Sequence, residues 1–167
     1  TRPPRVALTS ISLKNFLSER WEWEKPVLIS PPDIDDKDAC LFPRKIDGKF
    51  FFIHRIGSSI WLDAVSDLGE LGNTKWLGGD VIMKPRSETW DNRKIGLAAP
   101  PIETKEGWLM LYHGISEASG KYRAGAALLD LKDPKKVIAR TVHPILEPER
   151  DYEREGVVPK VVFPCGA

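Results

Sequence analysis

A nine-residue stretch recurs at a fixed offset, and this limits the fold more firmly than composition does. Asp47-Gly48-Lys49-Phe50-Phe51-Phe52-Ile53-His54-Arg55 aligns with Glu106-Gly107-Trp108-Leu109-Met110-Leu111-Tyr112-His113-Gly114 at an offset of 59 residues, with His six positions after Gly in each copy. An apolar stretch ending in Pro precedes each copy, Ala39 to Pro43 in the first and Leu97 to Pro101 in the second. A second apolar run follows each, Ser59 to Val65 and Arg123 to Leu129. Further copies of single elements stand at Arg5 to Ser10 and at Val161 to Cys165, so the cycle is entered midway and left midway. A period of this length is the mark of a solenoid, propeller or array.

Each copy reads as a strand, a Gly-containing turn, an aromatic-rich strand, a short loop and a further strand. Gly supplies the positive φ that tight hairpin turns need. No window of a dozen residues keeps a 3.6-residue apolar rhythm, and 14 Pro and 13 Gly punctuate the chain. The expected class is all-β, with three or four antiparallel strands per repeat, which is about one propeller blade; a β-sandwich is the structural alternative. Two and a half to three blades do not close a ring that needs about four to eight. The expectation is therefore a single partial propeller domain over 1–167, truncated at both ends, with poor solubility when expressed alone. Assembly of several copies is the other way to complete a ring.

Charge excludes several classes of partner. Lys plus Arg number 25 against 24 Asp plus Glu, a net charge of +1, which gives no reason to expect a nucleic acid or a cationic membrane surface. The apolar runs fall short of the 18 or more residues of a membrane span, and no signal-peptide pattern opens the chain, so a cytoplasmic location is expected. Cys40 and Cys165 lie in apolar runs beside Phe-Pro pairs and are expected as buried reduced thiols. No metal-ligand spacing, phosphate loop or nucleophile elbow is present.

The polar residues that mark comparable places in the repeat are Arg55, Lys94, His113 and Arg123. Converging on a propeller channel they would hold a small dianion such as phosphate; otherwise they are surface charges paired with nearby carboxylates. His54 and His113 end apolar strands, where a core histidine and an anion-binding or catalytic one are both open readings. Trp21, Trp23, Trp61, Trp76, Trp90, Trp108 and Tyr122 are core fillers or sugar-stacking platforms. Asp38, Asp91, Asp151 and Glu155 are carboxylates of acid–base type, with nothing to pair any two across a substrate.

A larger pattern links these residues. Lys37-Asp38-Ala39-Cys40-Leu41-Phe42-Pro43, His54-Arg55, Lys94-Ile95-Gly96, Leu111-Tyr112-His113-Gly114, Tyr122 to Leu131 and Glu155-Gly156-Val157-Val158-Pro159 to Phe163-Pro164-Cys165-Gly166 together resemble glycoside hydrolase family 130, and the similarity covers essentially the whole chain. The resemblance implies a five-bladed β-propeller that cleaves β-1,4-mannosides by inverting phosphorolysis to mannose 1-phosphate, or a β-mannoside hydrolase on the same fold. It implies phosphate held by Lys37, Arg55, Lys94 and His113, with Asp38, Tyr122 and Arg123 on the substrate. Inorganic phosphate would be a co-substrate, and no cofactor or metal is expected. The family's catalytic Asp motif belongs upstream of the Arg5 strand and is not among these residues, so no catalytic residue is assigned here; a carbohydrate-binding propeller fragment without activity is the non-enzymatic reading. Departures from the family pattern are Lys160 in place of Asn, Ile56 in place of Pro, and Leu97-Ala98-Ala99 where Gly is frequent.

Overall fold

The structure, a computed structural model, describes residues 2–97 and 99–166, so Thr1, Ala98 and Ala167 fall outside the description. Eleven strands run in order: β1 (Ala7–Leu8), β2 (Val27–Leu28), β3 (Asp36–Leu41), β4 (Phe50–Ile56), β5 (Ser59–Val65), β6 (Asp80–Met83), β7 (Lys94–Gly96), β8 (Ile102–Glu103), β9 (Trp108–Ile115), β10 (Tyr122–Leu129) and β11 (Val137–Arg140). Strands β3-β4-β5-β6 form one antiparallel meander; β11-β10-β9 continue to β7 and β8 to form a second. The short β1-β2 pair precedes them. Short helical turns at Leu13–Leu17 and Asp151–Arg154 escaped the sequence reading, the first capped by the Ser12 side chain.

The two meanders are the two copies of the repeat. Phe50–Ile56 and Trp108–Ile115 are the aromatic-rich strands, and each pairs along its length with the run that follows it. In the first copy Asp47 and Gly48 take φ of 48° and 73°, and Ile46 and Lys49 exchange two backbone hydrogen bonds of 3.0 Å, which is a two-residue hairpin of the primed type. In the second copy Thr104 shapes the turn. Its hydroxyl donates to the Gly107 carbonyl at 2.8 Å and accepts from the N–H groups of Glu106 and Gly107 at 3.2 Å. Between β7 and β8 lie Pro100 and Pro101, which have no N–H to give to a ladder, so the edge strand beside β9 is broken into two pieces, where the corresponding β3 is one strand with a bulge.

The sheets pack face to face. Phe42, Ile46, Ile53, Ile60, Leu62 and Met83 of the first interdigitate with Ile95, Leu97, Trp108, Met110, Tyr112, Ala127 and Leu129 of the second. Each fully buried Ile or Leu of this set contributes about 1.5–3 kcal/mol. The opposite face of the first sheet buries Phe52 and Val65 with Ile29, Leu71 and Leu77, and the β1 residue Leu8 packs against them. The Ile95 N–H donates to the Ser58 carbonyl at 3.0 Å and ties the start of the second sheet to the β4–β5 turn of the first. The third copy of the opening element, Val161 to Cys165, forms a single parallel bridge from Val161 to Tyr122 rather than a strand. Cys165 is exposed, against the expectation of burial, and Cys40 is half-buried. Burial, followed by the nearby Asp38 charge, pushes the Cys40 thiol up to about 11, so it stays protonated. Among the described residues no helix is long and apolar enough to cross a membrane.

Candidate active site

Lys37, Asp38, Arg55, Lys94, His113 and Tyr122 meet at the ends of strands β3, β4, β7, β9 and β10. Their convergence has a local cause. The β3–β4 register pairs Lys37 with Arg55 and then slips before Cys40, and Asp38, with φ of 55°, occupies that irregularity. The bulge re-aims a carboxylate that regular pleating would have turned away. Arg55 Nε donates to Asp38 Oδ2 at 2.6 Å and one Nη to the Gly57 carbonyl at 2.8 Å, which leaves the other Nη unengaged among the described residues. On the neighbouring sheet Gly96 pairs with His113, and Lys94 pairs with Ile115. A Cβ at Gly96 would collide with Asp38 Oδ2 and stand 2.7 Å from the His113 ring, so only Gly lets the carboxylate and the imidazole close on each other.

His113 is almost wholly buried, with Phe163 at 4.3 Å and Tyr122 at 5.9 Å between ring centroids. Its Nε2 lies 3.8 Å from Asp38 Oδ2, too far for a hydrogen bond, and its Nδ1 is buried without a partner. Burial pulls its pKa down to about 4; Asp38 opposes this, and the Arg55 and Lys94 charges reinforce it. The ring is neutral at pH 7. Burial also lowers the Lys94 ammonium below the usual lysine value, helped by Arg55 and Lys37. Lys94 Nζ stands 6.0 Å over the Tyr122 ring. The half-exposed Lys37 lies 3.1 Å from Asp35. Lys37, Arg55 and Lys94 against the Asp35 and Asp38 carboxylates leave one net positive charge around a neutral imidazole.

Two readings separate here. His54 sits at the repeat-equivalent position of His113 but is fully buried, with Nδ1 2.8 Å from Asp36 Oδ1 and Nε2 2.8 Å from the Gly78 carbonyl. Both ring nitrogens face acceptors, so His54 is a structural tie. Arg123 does not join Tyr122 in the cluster. Successive strand residues point to opposite faces, and Arg123 Nε donates instead to Glu147 at 2.9 Å.

Asp91, considered above as an acid or base, is engaged elsewhere. It receives hydrogen bonds from Arg86 (2.9 and 3.2 Å), Thr89 (2.5 Å), Tyr112 (2.9 Å) and Arg140 (2.6 Å). Burial raises its pKa, but the Arg86 and Thr89 hydrogen bonds, the Arg140 charge and the Tyr112 hydroxyl outweigh that and hold it below the usual carboxylate range. The indole of Trp90 stacks on Tyr112 at 5.7 Å and crosses Gly114 and Gly125, where a Cβ would stand 2.7 and 2.8 Å from the ring. This network anchors the segment that leads into Lys94. Its partners lie 5, 2, 21 and 49 residues from Asp91, and no motif announces them.

Successive antiparallel sheets packed face to face, with cations clustered at their strand ends, define part of a β-propeller. Residues 12–167 match the family model described as beta-1,4-mannooligosaccharide phosphorylase, and the chain belongs to glycoside hydrolase family 130, whose members include mannoside phosphorylases. It is 46% identical over 146 residues to a 1,2-beta-oligomannan phosphorylase and 48% identical over 149 residues to a beta-1,2-mannobiose phosphorylase, both of Thermoanaerobacter sp. strain X514. These matches cover 87% and 89% of the chain but 46% of each relative, so the chain spans about half the length of the curated relatives it matches. The solved beta-1,2-mannobiose phosphorylase of Listeria innocua, in complex with beta-1,2-mannobiose, superposes with a TM-score of 0.73 at 41% identity, covering 83% of this chain and 39% of that one. The fold is that of the family's five-bladed β-propellers, of which this chain is a part.

Proposed function

We propose that the complete protein is an inverting β-mannoside phosphorylase acting on β-1,2 linkages. The observation that carries the reading is the cluster of Lys37, Arg55 and Lys94 around Asp38 and a neutral His113, net positive even with the Asp35 carboxylate counted; a water nucleophile needs no such arrangement. A phosphate oxygen attacks the anomeric carbon as the glycosidic C–O bond breaks. The leaving oxygen takes a proton from a carboxylic acid, which the family resemblance assigns to an Asp outside these residues. The cations orient the dianion and replace its water. Lys94, with its lowered ammonium pKa, and the unengaged Nη of Arg55 supply donors, while Asp38 fixes the guanidinium plane and borders the sugar. Tyr122, beside His113, forms the wall on the acceptor side.

The β-1,2 assignment is supported by relatives at 46 and 48% identity, whereas the family model's description favours the β-1,4 linkage expected from the sequence. Incubating the complete protein with β-1,2- and β-1,4-mannobiose, each with and without inorganic phosphate, tests both points. The expected product is mannose 1-phosphate from the β-1,2 disaccharide only when phosphate is present. Free mannose without phosphate would establish hydrolysis, and turnover of the β-1,4 disaccharide alone would establish the other linkage.

A further inference from the structure

A cleft of about 440 Å³ is bounded by Glu88, Trp90, Arg123, Val142, His143 and Glu147. Its size matches small-molecule sites, which run to about 300–1,000 Å³. It stands apart from the cluster but shares the same strand ends. His113 and Tyr122 face the cluster, while their neighbours Gly114 and Arg123 face the cleft side, where Trp90 lies across the bare Gly114 backbone.

The lining has the chemistry of sugar recognition. Trp90 is held flat by Tyr112 at 5.7 Å and by its Nε1 bond to the Val142 carbonyl at 3.0 Å, so its ring is a fixed platform bordering the cleft. Arg123 and Glu147 form a partly exposed pair, 2.9 Å from Nε to Oε2, that offers both donors and acceptors to hydroxyl groups. His143, on the exposed β11 continuation, supplies either. We infer that this cleft is a subsite for the distal mannosyl units of a longer β-mannoside chain, which reaches it when the scissile unit is at the cation cluster. The inference rests on the proposed phosphorylase function.

The test compares the complete wild-type protein with the double variant His143→Ala/Glu147→Ala, using β-1,2-mannobiose and β-1,2-mannotetraose. With phosphate, kcat/KM for the tetraose should fall about tenfold in the variant, the loss of hydrogen bonds to charged groups, while the disaccharide value stays within about twofold. Without phosphate, calorimetric titration of the tetraose should show about the same tenfold weakening, so the cleft is tested even if no phosphorolysis is found. Absence of mannose 1-phosphate from the wild type would refute the phosphorylase reading by itself. Equal tetraose binding by wild type and variant, or a parallel fall with both substrates, would overturn the cleft.

Discussion

Gly96→Ala is the substitution that most directly probes how the cation cluster is built. Gly96 does not adopt a positive φ, so alanine fits the backbone and only space opposes it. The new methyl would meet Asp38 Oδ2 and stand 2.7 and 2.8 Å from Cε1 and Nε2 of His113, closer than carbon atoms tolerate. Neither neighbour can retreat cheaply. Asp38 is held by Arg55 at 2.6 Å, and the His113 ring is wedged between Phe163 and Tyr122. Overpacking of this kind costs about 1–3 kcal/mol. If about 1.4 kcal/mol of that falls on the phosphate-bound state, the KM for phosphate rises about tenfold. The assay is initial-rate kinetics on the complete protein with phosphate and mannoside varied separately, beside thermal melting. Gly78→Ala is the control, since nothing lies within 4 Å of its Cβ position and its φ is not positive. A Gly96→Ala protein with unchanged phosphate KM and the melting temperature of the control would refute the packing argument.

Asp91→Asn should destabilise the protein by about 1–3 kcal/mol, because it removes the counter-charge of the partly buried Arg86 and Arg140; chemical denaturation measures it. The Asp91 carboxylate also ties stability to pH: its lowered pKa contributes stability above the ordinary carboxylate range, and that share is lost as pH falls through the folded value. His113 acts in a higher window. With its pKa lowered from 6.5 to about 4, the neutral ring favours the fold fully above 6.5 and progressively less down to about 4. That interval corresponds to about 3 kcal/mol, and it should vanish from the pH–stability curve of a His113→Gln variant.

Much of this arrangement was legible in the linear sequence, for identifiable reasons. The Asp47-Gly48 hairpin and the paired runs on either side of His54 and His113 are local, and a period of 59 residues shows them twice. Opposite fates at equivalent positions were not legible. His54 and His113 share the same register, yet Asp36 and the Gly78 carbonyl close around one while the other keeps a free nitrogen, and both closing groups are remote in sequence. Arg123 could have been placed better. Tyr122 and Arg123 are adjacent on one strand, so strand alternation alone separates their side chains. The Asp91 network lay beyond reach, since Tyr112 and Arg140 approach it only once the second sheet has formed. The broken strand between β7 and β8 was written in Pro100-Pro101, which the repeat comparison had treated as equivalent to the single Pro43.

The shared core between the two sheets has a consequence for how such a ring holds together. Six of its buried residues come from the first sheet and seven from the second, and the first sheet's other face buries Phe52 and Val65 against Ile29, Leu71 and Leu77. The first sheet alone therefore carries part of two cores and the whole of neither. The unit repeated in sequence is the sheet, whereas the unit that gains cohesion is the seam between sheets. The two have the same period and run half a step out of phase, so a substitution in one sheet weakens the seam it shares with its neighbour as much as the sheet itself.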